Sequence, residues 1–203
     1  MQELTQTEKE LYRSLSSPTK IQNYLNTLAM RTDEKEPIVR SPRKIIESMS
    51  ATCMEGALLA AVALSYHGHK PLLMDLKVGR NTRDVDHVVA LFKEDGSWGA
   101  LSKTNHGVLR YREPIYKNVR ELALSYFHEY FTNDGKKNLR SYSEPFDISK
   151  KFGMDWITSD EDLYEMAYAL DEIEHTDILT PKMARNLRLA DDIEIEAGKI
   201  KED

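Results

Sequence analysis

The sequence predicts an α+β fold in which a central helix, carrying the only cysteine, packs on an antiparallel sheet between helical N- and C-terminal segments. Helix-start signals crowd the first third of the chain, a hairpin pattern occupies the middle, and helical patterns return after it. A length of 203 residues fits a single domain over 1–203. Within it we expect a core at 42–112, a helical C-terminal extension at 116–190 and a charged tail at 191–203.

Three helix starts are predicted before the cysteine. Thr7 and Glu10 have the spacing of a capping box, and Ser17-Pro18 and Ser41-Pro42 each combine an N-cap residue with a proline at the first helical position. The second start is followed by apolar residues at helical spacing: Ile21, Tyr24, Leu25 and Leu28. These signals favour a helical first third.

Cys53 lies at the start of the next predicted helix. Thr52 and Glu55 form a second capping-box pattern, which places Thr52 at the N-cap and Cys53 at the first helical position. Unpaired amides and the positive end of the helix dipole stabilise an anion there, so we expect an acidic, nucleophilic thiol. The structural alternative is a lone cysteine that acts as a small buried apolar residue.

The middle of the chain is predicted to form strands. Runs 71–78 and 85–92 are apolar, and Glu94-Asp95-Gly96 is typical of a hairpin turn that returns into 98–102. His87 lies in the second run, as either a satisfied core histidine or a general base on a rigid strand.

The hairpin predicts which groups lie near the imidazole. Alternation along the strand turns Asp86 away from the face of His87. A turn at 94–96 places 102–105 opposite His87, so Asn105, or more weakly Ser102, is expected to hold the imidazole N–H.

Taken together, these segments resemble the transglutaminase-like superfamily of cysteine enzymes, which shares the papain-related fold. The resemblance rests on Cys53-Met54-Glu55-Gly56-Ala57, on Asp86-His87-Val88-Val89-Ala90-Leu91-Phe92 and on Gly96-Ser97-Trp98-Gly99. It implies Cys53 as nucleophile and His87 as base. The family has an aspartate four residues after the tryptophan, where this chain has Ser102. Papain-like relatives use asparagine in that role, which leaves Asn105 as the alternative.

Two further side chains are candidates for contact with substrate. Gln22 is an upstream amide that could supply an oxyanion donor, although an exposed helix face is its simpler interpretation. Trp98 could line a groove, although large aromatic residues chiefly fill cores.

Net charge and residue patterns limit the classes of partner that this protein is expected to bind. A formal net charge of -6, with basic residues clustered in dipeptides at most, argues against nucleic acid. With no signal-peptide pattern at the amino terminus and no apolar run long enough to span a membrane, we expect a cytoplasmic protein without a membrane partner. No metal and no cofactor are expected, because the histidines and the single cysteine lack metal-ligand spacing. The oligomeric state is left open.

The predicted function is cysteine-dependent acyl chemistry on a peptide, a protein or a small amide. Water as acceptor gives hydrolysis, which we slightly favour, and an amine gives acyl transfer. The alternative is an inactive member of the same fold that binds a peptide or protein partner in its cleft. The serine in place of aspartate is the main argument for it.

Overall fold

The helices of the first third lead into the helix that carries the cysteine. The computed structural model describes residues 3–31, 38–79 and 85–202. The elements before the main sheet are α1 (Gln6–Ser14), α2 (Pro18–Thr27), β1 (Ala29–Met30), α3 (Pro42–Ser48), β2 (Ser50–Ala51) and α4 (Cys53–Tyr66). The hydroxyls of Ser17 and Ser41 accept hydrogen bonds from the backbone N–H groups three residues later, which confirms the predicted starts of α2 and α3. The first capping box is formed by Thr5 and Glu8, so its prediction at Thr7 was wrong by two residues.

The predicted hairpin is the centre of an antiparallel sheet. The next elements are β3 (Leu72–Val78), β4 (His87–Glu94), β5 (Ser97–Leu101), β6 (Arg112–Tyr116) and α5 (Val119–Phe127). Strands β4 and β5 pair in the register Ala90↔Leu101. The turn between them has φ of 47° at Asp95 and 82° at Gly96, as a type I′ hairpin requires.

The C-terminal part adds strands as well as helices. It contains β7 (Leu139–Ser143), β8 (Phe146–Asp147), α6 (Ile148–Phe152), a 3₁₀ helix (Asp155–Thr158), α7 (Tyr164–Asp171), β9 (His175–Asp177), α8 (Pro181–Arg185) and α9 (Asp192–Gly198). The seven-stranded sheet of the described residues has the order β6-β5-β4-β3-β7-β9, and β8 also pairs with β3. The segment 116–190, expected to be a helical extension, therefore supplies three strands of the main sheet. The tail expected at 191–203 begins with α9.

The two faces of the sheet are covered by different helices. Val88, Ala90 and Phe92 of β4 face the core around α4, whereas Val89 and Leu91 face the core around α5. The cysteine-bearing helix thus packs on an antiparallel sheet, which confirms the predicted α+β class. In the part of the chain that the structure describes, no helix is long and apolar enough to span a bilayer.

Candidate active site

The start of α4 is held by a buried ionic cluster. Thr52 caps the helix, its hydroxyl accepts from the backbone N–H of Glu55, and the Glu55 carboxylate accepts from the backbone N–H of Thr52. The Glu55 side chain is fully buried and forms ion pairs with Arg31 and Arg40, each at 2.9 Å. These contacts fix Cys53 as the first residue of the helix, as the sequence predicted.

The thiol of Cys53 is half-buried and meets backbone amides. The backbone N–H groups of Val88 and Met54 act on the sulfur in the direction that lowers its pKa. Burial of the thiol is the largest effect and raises its pKa, and the nearby carboxylate of Asp75 raises it slightly more. Together they outweigh the amides, so the pKa of Cys53 is raised. The expectation of an acidic resting thiol was therefore wrong, because desolvation outweighs the amides of the helix start.

His87 is the first residue of β4 and its side chain is buried. Its Nε2 lies 2.7 Å from Oγ of Ser102, which itself donates its proton to the carbonyl oxygen of Leu109 at 2.6 Å. Since the Ser102 proton is used there, Ser102 accepts from Nε2–H, and Nδ1 is the unprotonated nitrogen. Burial, with a smaller effect of His106, lowers the pKa of His87 to about 4, so the imidazole is neutral at pH 7.

Cys53 and His87 flank one peptide unit of β4. His87 pairs with Leu76 of β3, and this register turns its side chain toward the α5 side of the sheet. Val88 points toward α4, and its N–H, in the plane of the sheet, meets the sulfur of Cys53. The thiol thus lies near the peptide bond that joins His87 to Val88, while the imidazole of His87 is directed to the other face of the sheet. The structure therefore does not bring the two predicted catalytic side chains into direct contact.

Gln22 binds the backbone of Ser102 at two points. Its amide nitrogen donates to the Ser102 carbonyl at 2.8 Å, and its amide oxygen accepts from the Ser102 backbone N–H at 3.0 Å. Only 7% of Gln22 is exposed, so the interpretation as a residue of an exposed helix face was wrong. In the structure Gln22 positions Ser102, a role that sequence reasoning did not anticipate.

Asn105 and Trp98 lie away from these contacts. The ladder of β5 ends at Leu101 and the chain bends at Asn105, whose carbonyl accepts from the backbone N–H of Glu202 at 2.7 Å. Ser102, and not Asn105, is therefore the side chain that holds the imidazole. Trp98 precedes Ser102 by four residues, so their Cα atoms are about 13 Å apart along an extended strand. Its ring lies 5.0 Å from Nζ of Lys93.

A cavity beside the helix start was not foreseen. It has a volume of about 220 Å³, and its lining includes Met54, Val88, Asp75, Asp86 and Asp171. Burial, followed by the neighbouring charge of Asp75, raises the pKa of Asp86. The three carboxylates are far apart in the sequence, on β3, before β4 and at the end of α7, so no local spacing signals their meeting.

Comparisons with known proteins find distant similarity. No family model matches the chain, and no curated protein matches it. Two solved structures of LapG from Legionella pneumophila are similar to it, each with 19% sequence identity and a TM-score of 0.37, and one of them is EGTA-treated. The alignments cover 46% of this chain, 57% of the EGTA-treated LapG and 59% of the other. The chain therefore spans less than two thirds of the LapG chains that it matches.

Proposed function

We propose that this protein performs thiol-dependent acyl chemistry, with Cys53 as nucleophile and His87 as general base. The substrate is an amide or ester of a peptide, a protein or a small molecule. The observation that carries the proposal is the approach of the Cys53 sulfur to the peptide that joins His87 to Val88. Two further observations support it: the thiol is only partly buried, and Ser102 fixes the orientation of the imidazole.

The reaction begins from a neutral pair. The raised pKa of Cys53 and the lowered pKa of His87 both favour the neutral thiol and the neutral imidazole at pH 7. Because His87 is directed toward the α5 side of the sheet, the thiol proton reaches its Nδ1 through an intervening water molecule as the sulfur attacks the carbonyl carbon. The same proton then passes to the leaving amine or alcohol, and the acyl group remains on sulfur as a thioester. Water or an amine attacks the thioester and passes its proton to Nδ1. The carbon–sulfur bond then breaks, the acid or amide product leaves, and the imidazolium returns the proton to restore the free thiol.

The backbone amides around Cys53 stabilise the negative charge of this reaction. The N–H groups of Met54, at the helix start, and of Val88, in β4, favour the charged sulfur. They hold the sulfur as it loses its proton, and donors fixed in place before the reaction cost no reorganisation at that moment.

Ser102 supports the imidazole without a charge. It fixes the tautomer in which Nδ1 is free, which is the first requirement of a base in this position. It does not stabilise the imidazolium as a carboxylate does. We therefore propose a slower enzyme than one with an acidic third residue, on a scale of about 10⁴ for loss of that charge.

A second candidate function is a binding module without catalysis. The neutral third residue and the raised thiol pKa favour it. In this case the surface around Cys53 binds a peptide or protein partner and the sulfur forms no thioester.

Acyl trapping separates the two functions. The protein is incubated with a p-nitrophenyl ester at pH 8, and the modified residue is located by mass spectrometry; Cys53 is the only cysteine, so any thioester has one location. Our proposal predicts acylation of Cys53 in the native protein and none in Cys53→Ser. Acylation that occurs only after denaturation would leave the binding module as the function.

A further inference from the structure

The cavity beside α4 contains a carboxylate oxygen with no partner. Asp75 is 3% exposed, and among the described residues its Oδ1 is buried without a hydrogen bond. The other oxygen, Oδ2, lies 3.1 Å from Nε2 of His175. A buried anionic oxygen without a donor costs free energy, so this atom calls for a positive partner.

Two further carboxylates converge on the same point. One oxygen from each of Asp75, Asp86 and Asp171 lies within 4.8 Å of the other two. Asp86 Oδ1 accepts from the backbone N–H of Val78 at 2.7 Å, and Asp171 forms an ion pair with Lys77. Each carboxylate is thus oriented by a neighbour, and all three belong to residues that line the same cavity.

The charges of the cluster do not cancel. The carboxylates of Asp75, Asp86 and Asp171 carry three negative charges when ionised. Lys77 offsets one of them and His175, when protonated, offsets a second. Among the described residues, a negative charge is left in a partly closed cavity of about 220 Å³, which also has room for water molecules.

We propose that Asp75, Asp86 and Asp171 form a binding site for a hard divalent metal ion, Ca²⁺ or Mg²⁺. Oxygen-only ligands are the set that these ions prefer, and both complete their shells with water. Metal–oxygen distances of about 2.0–2.6 Å are shorter than the ~2.8 Å of an ammonium–carboxylate hydrogen bond. A bare metal ion therefore reaches the buried Oδ1 of Asp75 more closely than the amine of a ligand.

The site would join three parts of the fold. Asp75 is on β3, Asp86 directly precedes β4, and Asp171 is the last residue of α7. Met54 and Val88, which also line the cavity, follow Cys53 and His87 directly in the sequence. A bound ion would hold the entry of β4 against β3 and α7 at this position.

Metal titration of the full chain tests the proposal. The protein is dialysed against EDTA, and its thermal midpoint and calorimetric binding are measured with CaCl₂ and with MgCl₂, against KCl of equal ionic strength. We expect a midpoint rise of several degrees at about 1 mM of one divalent ion, the range of weaker protein sites. The ion that binds more tightly identifies the occupant.

Substitutions test whether the metal ion binds at the three carboxylates. Asp171→Asn removes a half-exposed ligand, which the fold tolerates better than loss of buried Asp75, and should weaken binding at least tenfold. Asp134→Asn is the matched control, because Asp134 is also exposed and paired with a lysine, Lys136, but lies outside the cluster. It should bind as the wild type does.

Three results would overturn the proposal. One is the lack of any effect of Ca²⁺ or Mg²⁺ beyond that of KCl. Another is equal binding by the wild type and Asp171→Asn. The third is stabilisation by ethylammonium chloride but by neither metal, which would make the cavity a site for an organic cation.

Discussion

Nε2 of His87 lies 2.7 Å from Oγ of Ser102, whose own proton is donated to the carbonyl of Leu109. This pair fixes the imidazole with Nδ1 unprotonated. The partner of the imidazole is thus a neutral hydroxyl. The arrangement orients the base but adds no charge to it.

Replacing Ser102 tests this orientation. In Ser102→Ala the N–H of His87 and the carbonyl of Leu109 both lose a partner, which should cost about 1–3 kcal/mol of stability. The imidazole should then populate both tautomers, whereas the wild type holds the proton on Nε2. Nitrogen NMR shifts of His87 at pH 7 measure the tautomer. Identical shifts in both proteins would exclude a role of Ser102 in fixing it.

Replacing Gln22, which binds the backbone of Ser102, should destabilise the protein more than replacing a surface glutamine. Gln22→Ala leaves the backbone N–H and C=O of Ser102 without these partners, both in a buried place. We expect a loss of about 1–3 kcal/mol in the free energy of unfolding, measured with urea. Gln6→Ala, which removes a bond to Glu10 on an exposed face, is the control and should change stability by less than about 0.5 kcal/mol. Equal effects of the two variants would show that Gln22 does not position Ser102.

Gly56 allows α4 to approach the strand end. A Cβ at this position would lie 2.3 Å from Cβ of Lys103, a buried residue whose ammonium donates to the carbonyl of Leu28. Gly56→Ala should therefore destabilise the protein by about 1–3 kcal/mol, although alanine favours a helix. Gly107→Ala is the control, since its added Cβ meets no atom closer than 3.6 Å. A more stable Gly56→Ala protein would contradict the close packing.

The ionisation of Glu55 makes the stability of the protein depend on pH. Its ion pairs and hydrogen bonds with Arg40 and Arg31 outweigh burial and lower its pKa below 4.5. A carboxyl with a lowered folded-state pKa contributes stability above pH 4.5, and that contribution is lost as the pH falls through the folded-state value. Glu55→Gln should cost about 3 kcal/mol at pH 7, because Arg31 and Arg40 lose their partner.

The cost of Glu55→Gln should shrink as the pH falls. Urea unfolding of the wild type and the variant between pH 7 and pH 3 measures this change. Glu10→Gln, on an exposed face, should show a small difference at every pH. A gap between wild type and Glu55→Gln that stays constant down to pH 3 would contradict the lowered pKa.

Local sequence signals predicted the elements that position Cys53. Ser17, Ser41 and Thr52 are helix caps whose hydroxyls bond only three residues ahead, so a short window contains the whole signal. The Asp95-Gly96 turn fixes the hairpin in the same way, because both residues adopt positive φ. Cys53 and His87 were singled out from these two signals.

Long-range contacts could not be predicted in this way. Strand β9 is three residues long and polar. It forms because its backbone pairs with Tyr142 and its neighbours at the edge of β7. The bonds of Gln22 to Ser102 span 80 positions. Burial of Cys53 and His87 likewise depends on the assembled core, which is why the acidity of the thiol was predicted with the wrong sign.

The role of His87 in activating Cys53 is tested most directly by the rate of acylation. Single-turnover release of p-nitrophenol is measured for the wild type, for His87→Ala, and for His69→Ala as a control at the C-terminal end of α4. We predict a loss of about 100-fold or more in His87→Ala, partial recovery with added imidazole, and no change in His69→Ala. An unchanged acylation rate in His87→Ala would contradict the proposed function.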